Sequence, residues 1–223
     1  MLTGYKFESI RRLNNQGIIA WEMLSTLRPN IDAEVYFSSL PQEKRISLFA
    51  NQVNYALYTP CAQCYYINAD SEVFLSSTMA EVIAGHNFCQ PKFALELTDL
   101  CNIMQLSSVQ IRKLRQRITQ LQAMNIQVWA DDITPGLIHF LLKEKFYFYG
   151  VKIDKYVFWE LRGHQNHLND LVRTCQKLCA KVLIEGIENY HDFLSAQLSV
   201  ADYGQGYMWK PVAHSFNLRT PGE

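Results

Sequence analysis

A small set of residues in this chain combines types able to hold a cation with one recurring local setting. Glu22 interrupts the apolar run IIAWEML, Asn68 closes CYYIN, Glu96 sits in FALELTD, and Asp131 and Asp132 close IQVWADD. Lys152 and Asp154 close YGVKID, and Glu185 closes KVLIEG. A single acid at the end of an apolar run is ordinarily a helix cap or a turn former. Five runs that end this way point instead to a shared site. Carboxylates brought together repel one another and lose hydration, and divalent cations relieve both costs. Donors that are all oxygen, an Asn carbonyl among them, suit Mg2+ or Mn2+ better than zinc. Adjacent Asp131 and Asp132 fit a two-metal arrangement, in which the ions clamp the attacking and leaving oxygens of an in-line phosphoryl displacement, with Lys152 balancing charge on the phosphate.

For these residues to meet, the elements that carry them must converge. Apolar segments of strand length occur near 5–10, 17–24, 63–68, 93–98, 125–130, 147–153, 181–186 and 201–204, mostly β-branched or aromatic. Between most of them lie stretches with helical spacing, at 41–58, 76–84, 107–124, 135–145, 155–179 and 189–197. In 107–124, Val109, Ile111, Leu114, Ile118, Leu121 and Met124 form an apolar stripe, and the basic residues Arg112, Lys113, Arg115 and Arg117 read as its solvated opposite face. Strands alternating with amphipathic helices imply parallel pairing, because each crossover carries a helix back over the sheet. The first two strands are too close for a helix and predict an antiparallel hairpin. The fold expected is α/β, a modified (β/α)8 TIM barrel with one antiparallel strand near the N-terminus. In such a barrel the carboxyl ends of the strands gather at one mouth. No linker or low-complexity run divides the sequence, so residues 1–223 are expected to form one domain.

Composition narrows the function. Lys and Arg balance Asp and Glu at 21 each, so the basic footprint of a duplex DNA or RNA binder is missing. No apolar stretch is long enough to span a membrane, and the N-terminus runs into charge where a secretory core would stand. The six cysteines, Cys61, Cys64, Cys89, Cys101, Cys175 and Cys179, are too sparse for a disulfide framework, which fits a cytoplasmic location. Cys61 and Cys64 have the CxxC spacing, but no second half-site completes four ligands, and they read as packed thiols. The aromatic run 146–149 could stack guanine bases, but alternation along a strand favours packing on both faces.

Taken in order, the motifs resemble the EAL-domain family of bacterial cyclic di-GMP phosphodiesterases. Glu22-Met23-Leu24 stands at the Glu-Ala-Leu motif, Tyr66-Ile67-Asn68 at the strand ending in Asn, and Leu95-Glu96-Leu97-Thr98-Asp99 at ELTE. Asp131-Asp132 match the pair that opens DDFGTG, Lys152-Ile153-Asp154 is KID unchanged, Glu185-Gly186-Ile187-Glu188 resembles EGVE, and Gln205-Gly206-Tyr207 matches QGY. The resemblance implies hydrolysis of cyclic di-GMP to linear pGpG with two Mg2+ or Mn2+ ions, lowering a second messenger that controls motility and biofilm behaviour. It implies that Glu22, Asn68, Glu96 and Asp131 hold one metal, and Asp131, Asp132 and Glu185 the other. Lys152 and Glu185 are the implied catalytic residues, Lys152 positioning the water between the ions and the phosphate, and Gln205 is implied to order that substrate and water shell. A homodimer is the assembly implied. Three departures stand out: Thr26 where the family commonly has a phosphate-contacting Arg, Ile133-Thr134-Pro135-Gly136 after the acidic pair, and Asp99 where a Glu braces that loop. The alternative reading is a catalytically silent EAL-like regulator that binds a protein partner, such as a transcription regulator of motility.

Overall fold

The computed structural model describes residues 2–84 and 93–215, so Cys89 lies outside the described residues. The chain opens with the expected hairpin, β1 (Leu2–Arg12) antiparallel to β2 (Ile18–Leu27). From β2 onward, β3 (Cys64–Ala69), β4 (Phe93–Leu97), β5 (Val128–Ile133), β6 (Phe148–Ile153), β7 (Cys179–Ile184) and β8 (Tyr203–Gly204) add in parallel, each beside the one before. β1 closes the ring by pairing with both β2 and β8, antiparallel to each. The result is an eight-stranded barrel with one reversed strand. β9 (Val212–Ser215), which the sequence did not suggest, covers the edge of β1 over Gly4–Phe7, beyond the short β8.

The helices lie outside. They are α1 (Ala33–Ser38) and α2 (Gln42–Tyr58), α3 (Ser71–Leu75) and α4 (Ser77–Ala84), α5 (Leu100–Ile103) and α6 (Ser108–Ala123), α7 (Pro135–Lys143), α8 (Lys155–Leu161) and α9 (Gln165–Cys175), and α10 (Tyr190–Leu198). α6 starts where its sequence says it should, since Ser107 and Gln110 form a reciprocal capping box. Its stripe of Ile111, Leu114, Ile118 and Leu121 is buried, while Val109 and Met124 at the two ends are exposed. The single helix expected over 155–179 breaks in two around Gly163. The backbone carbonyl of Arg162 accepts a bond from the Ser195 hydroxyl (2.8 Å), so α10 takes a carbonyl that a continued helix would have used, and the Arg162 side chain pairs with Asp192 (2.7 Å) on the same helix.

Two apolar clusters divide the interior. The larger fills the space between the barrel wall and the helices, with Phe49, Phe74, Phe93, Phe148 and Phe158 among its members. Phe146 and Phe148 stack there, ring centroids 5.8 Å apart, so this part of the aromatic run packs rather than forming a platform. The smaller cluster lies inside the barrel: Ile10, Ala20, Tyr66, Ala94, Trp129, Leu183 and Tyr203. The Trp129 indole occupies its centre because β6 presents Gly150 there; a Cβ on Gly150 would stand 2.3 Å from the ring.

Candidate active site

Inward-facing side chains recur every second residue along a strand. Two residues beyond each member of the inner apolar cluster, toward the carboxyl ends of the parallel strands, stands a polar group. Ala20 is followed by Glu22, Tyr66 by Asn68, Ala94 by Glu96, Trp129 by Asp131, Leu183 by Glu185 and Tyr203 by Gln205, while Gly150 is followed by Lys152. On the reversed strand β1 the order inverts, and Ile10 is preceded by Glu8. Each of the eight barrel strands therefore delivers one polar residue to a ring resting on an apolar floor.

Lys152 sits at the centre of this ring with 1% of its side chain exposed. Its Nζ lies 2.7 Å from Glu185 Oε1, 3.1 Å from Asp131 Oδ1, 3.2 Å from Glu96 Oε1 and 3.5 Å from Glu22 Oε2. An ammonium carries three donors, so four carboxylates cannot all be served. Glu22 has the best-satisfied carboxylate, with Oε1 accepting from Asn68 (3.1 Å) and Oε2 from the Gln205 amide (2.5 Å). Both oxygens of Glu96, Oδ1 of Asp131, Oδ1 of Asn68 and Oε1 of Gln205 are buried with no hydrogen-bond donor in line. All five are acceptors.

Burial and mutual repulsion set the protonation behaviour. Burial would raise the Glu22 carboxyl, but the Lys152 charge and the bonds from Gln205 and Asn68 hold it below its usual value. Burial, reinforced by neighbouring carboxylates against Lys152, lifts Glu96 well above the usual range and lifts Asp131 as well. Glu185 is pushed up to about 8 by burial and by Asp131 and Glu22, and Asp132 to about 6 by burial and by Asp131. Burial disfavours the Lys152 charge, yet Asp131, Glu185, Glu22 and Glu96 together hold its ammonium well above the usual value.

Asp131 and Asp132 would face opposite sides of a regular strand. Here the β5–β6 register slips between Ala130 and Ile133, and Asp132 takes the left-handed angle φ 49°, so the bulge turns both carboxylates to the site. Donor atoms of Asp131, Asp132 and Glu185 lie within 4.8 Å of one another, which no other trio of His, Cys, Asp and Glu achieves among the described residues. Of the other set expected from sequence, Glu22, Glu96 and Asp131 surround the Lys152 ammonium, and Asn68 joins them through its bond to Glu22. Asp154 is elsewhere, capping α8 through Tyr156 N (2.9 Å) and Val157 N (3.2 Å). Glu8 is the ring member that sequence reasoning passed over.

The divergent loop after Asp132 is built without conflict. Thr134 is extended at φ −115° and needs no glycine, and Pro135 opens α7, where the missing N–H would have had no helical partner. Asp99, at φ 56°, does not reach this loop by any hydrogen bond; its carboxylate accepts from the Ser71 backbone N–H (3.0 Å) and hydroxyl (3.1 Å) at the start of α3.

The model of the EAL domain family matches residues 5–211, which takes in every member of the ring. The chain belongs to the EAL domain family. No curated protein matches it in sequence. Among solved structures, the EAL domain of Xanthomonas citri FimX in complex with c-diGMP superposes with TM-score 0.71 at 15% identity, covering 92% of this chain and 85% of that one. A standalone EAL protein of Vibrio cholerae O395 in its c-di-GMP-bound form gives 0.70 at 16%, covering 94% and 92%. Klebsiella pneumoniae BlrP1 with manganese and cy-diGMP gives 0.72 at 17%, covering 96% of this chain and 56% of that one. At these identities the likeness to each is one of fold. Among its described residues this EAL chain has no helix long and apolar enough to cross a membrane.

Proposed function

We propose that this EAL domain is a phosphodiesterase that hydrolyses cyclic di-GMP to linear pGpG with the help of two Mg2+ or Mn2+ ions. The observation that carries this reading is the set of buried acceptors in the ring that lack an aligned hydrogen-bond donor, with a single ammonium shared among four carboxylates. Glu22, Glu96, Asp131 and Glu185 face one ammonium, Asp132 adds a further carboxylate at the rim, and divalent cations supply the missing positive charge. Asp131, Asp132 and Glu185 would hold one ion, and Glu22, Asn68, Glu96 and Asp131 the other. Bound there, the ions would lower the pKa of water and neutralise the phosphate.

The chain's own groups do the rest. Lys152, kept protonated by its neighbours, presents a cation to the scissile phosphate and its attacking water. Asn68 and Gln205 fix the Glu22 carboxylate in one orientation. The floor of Trp129, Tyr66 and Leu183 closes the barrel beneath and keeps bulk water from reaching the charges from below. A regulator that acted only by binding a protein would gain nothing from a repelling acid cluster, and that argument favours catalysis.

The test is incubation of the purified protein with cyclic di-GMP and Mg2+ or Mn2+, following linear product by chromatography, beside Glu22→Ala and Lys152→Ala. Turnover lost in both variants supports the reading. Hydrolysis that survives Glu22→Ala places the chemistry elsewhere, and a wild-type protein without turnover that captures a transcription regulator supports the silent alternative.

A further inference from the structure

On β1 the side chains of Lys6, Glu8 and Ile10 share the inward face. Ile10 belongs to the barrel floor and Glu8 to the ring, so Lys6 stands one level nearer the open mouth, about 7 Å along the strand. Its Nζ lies 2.7 Å from Glu8 Oε1, and 32% of its side chain is exposed. The other oxygen of Glu8 is 3.5 Å from the Gln205 amide, whose nitrogen also donates to Glu22. A connected row thus runs from the mouth to the ring: Lys6, Glu8, Gln205, Glu22. Across the hairpin, Lys6 is paired with Leu24, and the next inward position on β2 is Thr26, whose hydroxyl is engaged with that of Thr3 (3.0 Å).

We propose that Lys6 is a ligand-binding residue of this site, anchoring a phosphate of the anionic substrate, and that Glu8 is the tether that holds it there. The inference rests on the function proposed above and extends it to a residue outside the metal-binding ring. An ammonium has three donors and Glu8 occupies one, so Lys6 can bind a phosphate oxygen without leaving its tether. A partly exposed ion pair contributes modestly to stability by itself, and two of the Lys6 donors remain for a charge-assisted bond to phosphate. The acidic field of Glu8 and Glu22 keeps the ammonium protonated despite its partial burial.

Steady-state hydrolysis of cyclic di-GMP in Mn2+ tests it with Lys6→Met, Lys6→Arg and, as a control on the solvated face of α6, Lys113→Met. Loss of one charge-assisted bond predicts a KM raised about ten- to a hundredfold in Lys6→Met, with kcat within about threefold of wild type. Lys6→Arg should restore a KM near wild type, and Lys113→Met should change neither constant. An unchanged KM in Lys6→Met, or a fall in kcat at constant KM, overturns the proposal while leaving the phosphodiesterase reading intact. Absence of hydrolysis by the wild type refutes that reading, and the role of Lys6 with it.

Discussion

Replacing Lys152 with methionine keeps the length of the side chain and removes its charge from the middle of the ring. The wild-type ammonium lies between 2.7 and 3.5 Å from four carboxylates, all of them largely buried. Removing one partner of a buried ion pair costs about 3–5 kcal/mol, because the charges left behind are uncompensated. For a chain of 223 residues that loss corresponds to a melting temperature lowered by roughly 6–20 °C. Urea denaturation in the presence of a chelator should show the full loss at pH 8.5, above the value of about 8 to which Glu185 is raised. At pH 5 Glu185 and Asp132, the latter raised to about 6, carry protons, the repulsion that Lys152 offsets is weaker, and the loss should fall by half or more. A loss below about 1 kcal/mol at pH 8.5, or one equal at both pH values, would refute the account of the ring as an acid cluster held together by one ammonium.

In the wild type, the raised carboxyls of Glu185 and Asp132 bind protons in the folded state that the unfolded chain has released, so metal-free stability should fall as pH rises from about 4 to about 8. The depressed Glu22 acts oppositely, and its contribution disappears as pH falls through its lowered value, so a thermal melting series with chelator should peak on the acid side, near pH 5, and flatten when Mn2+ is added. Gly150→Ala forces a Cβ to within 2.3–2.5 Å of the Trp129 ring and should destabilise by about 1–3 kcal/mol with a changed tryptophan emission; an unaltered spectrum and stability would mean that the indole does not fill the barrel. Asp99→Ala removes two bonds to Ser71 and should cost about 1–2 kcal/mol in chemical denaturation, whereas Asp99→Gly should cost less, because glycine relieves the left-handed angle of φ 56°.

The barrel and most of its ring were legible because parallel strands announce their site-facing end. An apolar run that terminates in an acid or amide marks it, as at Asn68, Asp131 and Glu185. Glu8 and Lys6 escaped that rule for a physical reason: β1 runs the other way, so its mouth is reached at the start of the strand, where nothing in the local pattern marks an end. The break between α8 and α9 falls in Arg162–His167, six residues without an apolar side chain that include Gly163, a stop signal that the expectation of one helix passed over, and a long-range bond from Ser195 holds the freed Arg162 carbonyl. β9 has no hydrophobic run of its own and exists by pairing with β1. The adjacency of Asp131 and Asp132 suggested a joint role from sequence, but the bulge that lets neighbouring side chains share a face is visible only in the register.

The reversed strand has a further consequence. β1 carries a cation, an acid and an aliphatic side chain at successive inward positions, Lys6, Glu8 and Ile10, and its pairing with β2 is interrupted at both ends, between Leu2 and Gly4 and between Ile10 and Arg11. Those irregularities pin the strand lengthwise. A slide of one pleat repeat in either direction would place an ammonium or a methyl-bearing chain where Glu8 now sits, and the electrostatic character of the whole cavity would change without any other strand moving.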